Sequence, residues 1–443
     1  MRDSMELKKP YYPACVIAIL IALLFGIFTI CQVYLLKDTY PVSRLWVGSD
    51  YIAFYNATQN LIRGVSLYEN IWLSVPDYLK QLAVALNLRK IDNTSWYCFP
   101  PIPAYVNYPL SFVDMETASR LMFFILIAAV LAAYALISSS FESIPGKDRE
   151  IILLCGAMTI LLSHPFYFLI VRGHLVGIVF LLLAMGIYLF KRNNSLSSVC
   201  FGLSIGMIIF PVLILVPLLI LRRYKIFIFT LVSLALLVLL CPGLWLEFIK
   251  GTVLDRLNRP LQMPDNCSLE NTCVFCILFI NKLYSYLGLP QFRAISGNAA
   301  ALIIYATSFC AMAVADIQIR KKHSPLDQEV ELSLIMLYFP FMIALPKNSF
   351  HYNLVLLILL VPALCSLMRK LKKPIPGIIL WTLMTGIFLS QMQAHFIQNL
   401  IDIQPYFFYF FPAFGLFLVM IGGVLFKLWF WKMGSGGMLQ GSS

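Results

Sequence analysis

Asp50 is the residue of this sequence best placed to do chemistry. It follows Gly48 and Ser49 just beyond a long apolar run, and Tyr51, Phe54 and Tyr55 come after it. A carboxylate at the edge of hydrocarbon, partly desolvated by aromatic rings, can act as a general base on a hydroxyl. The same spacing fits a helix start, because Ser49 or Asp50 ahead of Tyr51–Ile62 is a good capping position. Four cationic or titratable residues could meet an anion: Lys347 and His351 in the short segment Pro346–Tyr352, and Arg172 with His174 at a helix mouth. Charge-assisted donors of this kind hold phosphate well. Plainer readings also fit them: a snorkelling lysine for Lys347, an interfacial anchor for Arg172, a polar helix-start residue for His351. Arg256 and Arg259 could contact head groups or an anionic acceptor, or form a solvated loop face. Asn266 and Ser268 either fix a loop or touch a ligand. Asp114 and Glu116 flank a turn before a helix, where capping and dipole compensation account for them.

The elements that must carry these residues are membrane helices. Hydrophobic residues make up 60% of the 443 and charged residues 12%, and the mean hydropathy is +0.83. A soluble chain is roughly 45–50% apolar and about 25% charged, so the surplus belongs in lipid. Many apolar windows approach the roughly 20 residues that cross a hydrocarbon core. The net charge of +12 does not signal nucleic acid. Its basic residues form short clusters between apolar runs, such as Lys191/Arg192, Arg222/Arg223/Lys225, Arg320–Lys322 and Arg369/Lys370, as the positive-inside bias predicts. The eleven cysteines fall mostly in apolar stretches, where cysteine acts as a small hydrophobe. Cys267, Cys273 and Cys276 lack a nearby histidine and a zinc-type spacing. No metal and no cofactor is expected.

With basic clusters taken as cytoplasmic, the chain can be threaded. A retained first helix over 14–36 leads to an outer loop, 37–99. Helices follow over about 116–139, 150–170 and 174–191. Ser197–Leu221 begins and ends beside basic clusters and is broken by Pro211, which predicts a helical hairpin entering from one side. A helix over 226–248 leads to a second outer loop, 249–296. Helices over 297–319, 328–345, 352–368, 375–395 and 406–431 complete a bundle of about 10–13. Pro101–Phe112 is too short to span, so it dips and returns or a neighbouring span is misplaced. Parts of both outer loops, Ile71–Leu88 and Cys273–Leu287, read as interfacial amphipathic helices. The expectation is one all-α polytopic domain over 1–433, with a flexible Gly/Ser-rich tail over 434–443 of the kind appended by cloning.

Several segments together resemble a known family. Asp50-Tyr51-x-x-Phe54-Tyr55-x-Ala57 with Gly64-x-x-x-Tyr68, then Tyr97-x-Phe99-Pro100-Pro101 and Pro109-Leu110, resemble the first-loop signature of glycosyltransferase family 87. Arg172-Gly173-His174 stands where that family usually has glycine-glutamine. Gly202-x-x-x-Gly206 with Pro211, Asn266-x-Ser268-Leu269 and Pro346–Tyr352 resemble later motifs in the same order. Two departures are visible: His174 in place of glutamine, and Ile208 where many members carry lysine.

The resemblance implies a C-type glycosyltransferase fold and transfer of a sugar, mannose first, from a polyprenyl-phosphate donor to an acceptor hydroxyl by a single inverting displacement. Asp50 matches the family's presumed general base. The leaving phosphate would meet Lys347, His351, Arg172 and His174, while Tyr51, Tyr55, Asn266, Ser268, Arg256 and Arg259 would contact substrate. The acceptor would be a glycolipid, a glycan or a protein. The enzyme would be a multi-pass plasma-membrane protein, a monomer, with its site on the extracytoplasmic side. No nucleotide-binding loop is present, which agrees with a lipid-linked donor. A transporter or flippase of a lipid-linked sugar is the competing expectation, although no internal repeat of the transporter kind stands out.

Overall fold

The computed structural model describes residues 49–68, 97, 99–250, 297–323, 325–344, 351–371, 373–391 and 410–433. The expected helix over 14–36, the interfacial helices within 71–88 and 273–287, and the residues Arg256, Arg259, Asn266, Ser268 and Lys347 lie outside this set. The described residues are helical throughout their regular structure.

Helix α1 (Ser49–Ile62) precedes two short pieces, α2 (Ile102–Val106) and a 3-10 turn at Tyr108–Phe112. Each piece is five residues long, so Pro101–Phe112 does not cross a membrane. It packs against α1 through named bonds. Thr58 Oγ1 donates to the Ala104 carbonyl at 3.1 Å, Asn107 Nδ2 to Thr58 Oγ1 at 3.2 Å, and Gln59 Nε2 to the Ser111 carbonyl at 3.0 Å.

Asp114 then opens the first long helix, α3 (Met115–Ser139), by accepting the Thr117 backbone N–H at 2.9 Å. The cap expected from the sequence is thus present. Next come α4 (Gly146–Leu162), α5 (His164–Arg172), α6 (Val176–Leu189) and α7 (Asn194–Met207). A 3-10 turn at Phe210–Ile214 leads into α8 (Leu215–Ile220), α9 (Tyr224–Leu240) and α10 (Pro242–Phe248). The C-terminal half holds α11 (Gly297–Lys322), α12 (Gln328–Met336), α13 (Phe339–Ala344), a 3-10 turn at His351–Leu354, α14 (Val355–Ile358), α15 (Leu360–Lys370), α16 (Gly377–Ser390) and α17 (Phe410–Lys432).

Four described helices are long and apolar enough to cross a membrane, and up to six if two bent pairs each count as one span. The bends refine the sequence reading. The stretch expected as one helix over 150–170 turns by 61° between α4 and α5, and that over 226–248 turns by 96° between α9 and α10. Each bend falls at a proline, Pro165 and Pro242, which cannot donate the N–H that a continuous helix needs. Ser163 caps the new start of α5 by accepting from the Phe166 N–H. Three shorter apolar helices, Val176–Leu189, Phe210–Ile220 and Gly377–Ser390, accompany the long ones.

Small residues set the helix spacing. A Cβ on Gly202 would lie 2.7 Å from Ser233 Cβ, and one on Gly206 2.8 Å from Leu237 Cδ1. The Gly-x-x-x-Gly stripe therefore brings α7 against α9. α7 starts beyond the Lys191/Arg192 cluster and α8 ends at Arg222/Arg223. Lys191 and Arg223 pair with Glu329 and Glu331, two residues apart, so around Pro211 the chain returns to the end it left, as the expected hairpin requires.

Charges sort to opposite ends of the bundle. At one end Lys191 and Glu329, Arg223 and Glu331, Lys370 and Asp327, and Arg369 and Asp148 form ion pairs. Glu329 is buried and accepts from the Glu142 N–H at 2.8 Å and Ser366 Oγ at 2.9 Å. The other end holds Asp50, Arg172, His174 and the turn at His351–Leu354.

Candidate active site

Asp50 lies in the first turn of α1, where the exposed N–H groups favour a negative side chain. Arg172 is the last residue of α5, and Gly173 follows it in the left-handed conformation with φ +65°. Glycine takes that conformation without the clash a Cβ would meet. The Gly173 N–H donates to the Leu169 and Ile170 carbonyls, so the chain reverses directly after Arg172 and turns His174 inward.

This reversal brings together residues 122 positions apart. Arg172 Nε donates to Asp50 Oδ2 at 3.0 Å. The side chains are 29% and 16% exposed, so the pair is half-buried and not sealed. Phe168, one turn before Arg172, supports the guanidinium with its ring centroid 5.4 Å from Cζ. Asp50 Oδ1 makes no hydrogen bond among the described residues, which leaves one carboxylate oxygen able to accept a proton.

His174 sits beneath the pair. Its ring is buried and meets Phe54 edge-on at 5.5 Å, Phe99 edge-on at 4.9 Å and Tyr352 face to face at 4.3 Å. Phe54 is one turn along α1 from Asp50, and Tyr352 directly follows His351. One imidazole thus joins α1 and the turn at His351, which carry site candidates, to Phe99 of the Tyr97–Pro101 segment. Nδ1 accepts the Val176 N–H at 3.1 Å, which places the proton of the neutral ring on Nε2. Nε2 has no hydrogen-bond partner among the described residues. Burial holds the His174 pKa down at about 4, with Asp50 opposing and Arg172 adding to the effect. The ring is therefore neutral near pH 7. At that pH the ring carries no charge for a phosphate, and its Nε2 is enclosed by protein.

Tyr51 and Tyr55, expected to contact substrate, are both turned into the protein. Tyr51 is fully buried. Tyr55 donates its hydroxyl to the Val113 carbonyl at 2.7 Å, which gives it a packing role between α1 and the start of α3. His351 opens the 3-10 turn beside α5.

Gln391, which the sequence reading did not single out, fastens the floor of the site. Its Nε2 donates to the Leu354 carbonyl at 2.8 Å, and its backbone carbonyl accepts the His164 N–H at 3.3 Å. It therefore ties the end of α16 to the start of α5 and to the turn after His351. Only folding joins these segments, and no local spacing announces it. At the far end of α1, Ser66 Oγ donates to Glu247 Oε2 at 2.5 Å and links the turn after α1 to α10. Among the described residues, no group of three or more His, Cys, Asp or Glu side chains is placed to hold a metal ion.

Comparison with known proteins returns one family: residues 97–315 match the model of glycosyltransferase family 87. The match includes Arg172 and His174 and stops short of Asp50 on one side and of Lys347 and His351 on the other. No curated protein matches the chain. The resemblance read from the motifs is thus shown over that central region, and it implies a glycosyltransferase that is integral to the membrane.

Proposed function

We propose that this membrane glycosyltransferase moves a sugar from a polyprenyl-phosphate donor to an acceptor hydroxyl, with Asp50 as general base. The observation that carries the reading is the Asp50–Arg172 pair, half-buried at the end of the bundle opposite the basic clusters. The guanidinium holds Oδ2 and leaves Oδ1 to take the proton. As the acceptor oxygen bonds to the anomeric carbon, the bond from that carbon to the phosphate oxygen breaks and the sugar inverts. The leaving polyprenyl phosphate departs already ionised, so no general acid is required. General-base transfer of this kind contributes on the order of 10²- to 10⁴-fold.

The negative charge on the departing phosphate calls for donors. Arg172 supplies a cation at the pair, and Lys347 and His351 complete the proposed phosphate contacts. Arg256, Arg259, Asn266 and Ser268 are the proposed substrate contacts. By the positive-inside bias the Asp50 end faces the extracytoplasmic side of the plasma membrane. Mannose is the first sugar to test, and the acceptor is a glycolipid, a glycan or a protein. We propose a monomer.

The test is a reconstituted transfer assay. Purified protein in proteoliposomes receives polyprenyl-phosphate mannose and a panel of acceptors, and the product is read by mass spectrometry. Formation of an inverted glycoside supports the reading. Movement of the labelled lipid between leaflets without any acceptor and without product would establish the transporter reading instead.

A further inference from the structure

Helix α5 carries His164, Phe168 and Arg172 at four-residue spacing. Side chains spaced in this way lie one above the other on a single helix face. Here the face is used along its whole length. The His164 ring stacks on Phe168 at 5.9 Å, and the Arg172 Cζ lies 5.4 Å from the Phe168 centroid. From the turn at His351–Leu354, Tyr352 sets its ring 6.0 Å from Phe168 and 22° from parallel. Phe168 is thus the ring that His164, Tyr352 and Arg172 share.

What that ring does follows from the weakness of the ion pair beside it. Arg172 meets Asp50 through Nε at 3.0 Å, with the arginine side chain 29% exposed. A part-exposed ion pair gains little over water and must also hold a long, flexible side chain in one geometry. An aromatic face within about 6 Å of a guanidinium attracts it with comparable strength. Together they fix the guanidinium where the ion pair alone leaves it a choice of rotamers. The ring is itself braced: His164 and Tyr352 stack on it, and the Gln391 backbone carbonyl accepts the His164 N–H.

We propose that Phe168 is a positioning residue: its ring aims Arg172 at Asp50 and so holds in place the carboxylate that takes the acceptor's proton. It acts through Arg172 and supplies no group to the reaction itself. The inference rests on the reading of Asp50 as general base.

The experiment is a double-mutant cycle in the proteoliposome transfer assay. Phe168→Leu removes the ring, Phe168→Tyr keeps it, and Phe168→Met is a second ring-free variant should the leucine protein not fold. Each is measured alone and combined with Asp50→Asn, with kcat and KM read separately. For Phe168→Leu the expected kcat is about 10- to 100-fold below the parent's, the scale set by a small misplacement of a reacting group. KM should stay close to the parental value, and Phe168→Tyr should recover most of the lost kcat. In the Asp50→Asn background the leucine substitution should cost nothing further, because the base it positions is gone. A parental kcat for Phe168→Leu, a change in KM alone, the same loss for Phe168→Tyr, or an equal loss in both backgrounds would overturn the proposal and leave Asp50 as the base. Transfer by Asp50→Asn at the parental rate would overturn the base, and this inference with it.

Discussion

The imidazole of His174 lies face to face with the ring of Tyr352, their centroids 4.3 Å apart and their planes 26° from parallel. A cation in that buried stack would be strongly disfavoured, and the pKa of about 4 reflects it. Because the folded value is below the ordinary 6.5, His174 adds stability above pH 6.5 that is lost as pH falls toward 4. The full difference is about 3 kcal/mol. His174→Phe keeps the stack and removes the titration. Thermal unfolding from pH 7 to pH 4 should show a smaller acid-induced loss for the variant than for the parent. Equal acid sensitivity would contradict the buried, neutral ring.

Arg172 is expected to act through position more than charge. Arg172→Lys keeps the cation but cannot reproduce the Nε contact to Asp50. Because the pair is part-exposed, thermal stability should change little. Sugar transfer should fall on the order of 10- to 100-fold, since small displacements of a reacting group are costly. Paired measurements of unfolding and of kcat/KM check this; a large loss of stability would instead make Arg172 a structural residue.

The Lys427–Asp316 ion pair lies wholly within the bundle, both side chains fully buried. Lys427 Nζ on α17 is 2.6 Å from Asp316 Oδ2 on α11, and the Tyr338 hydroxyl donates to the same oxygen at 2.8 Å. Removing one partner leaves an uncompensated buried charge, at a cost of about 3–5 kcal/mol. Lys427→Met should therefore destabilise sharply, and adding Asp316→Asn should recover much of the loss while keeping an acceptor for Tyr338. The thermal midpoints of the two variants in detergent decide the matter.

Glycines on α17 make a sharper contrast. A Cβ on Gly415 would lie 2.4 Å from the Ser390 nitrogen and 2.6 Å from the Gly386 oxygen, both backbone atoms that cannot rotate away. At Gly423 the nearest atom is 3.7 Å distant. Gly415→Ala should cost about 1–3 kcal/mol by pushing α16 and α17 apart. Gly423→Ala should be neutral or gain up to about 1 kcal/mol from helix propensity. Thermal unfolding of both variants tests whether the contact is as close as described.

Much of this was legible in the sequence, and the failures have physical reasons. Basic clusters at segment ends and unbroken apolar runs announced α3, α6, α9, α11 and α17, because lipid imposes length and polarity on every span. Pro211 announced the helical hairpin. Pro165 and Pro242 did not announce bends of 61° and 96°, because a proline near a helix start and one at a sharp corner look alike until neighbours pack. At the site, Asp50 and Arg172 were each singled out, but as a base and a phosphate donor acting apart. Their direct bond depends on the reversal at Gly173, which only the fold reveals. His174 drew notice for its charge, although burial among Phe54, Phe99 and Tyr352 leaves it neutral. Gln391 carried no local signal at all.

The most direct test of the proposed chemistry is transfer by the Asp50→Asn variant, measured beside its binding of polyprenyl-phosphate sugar. The amide keeps the size and polarity of the side chain but is not a base. The account predicts a correctly folded protein that binds donor with affinity close to the parent's and transfers sugar at least about 10²-fold more slowly. Transfer at the parental rate would contradict it.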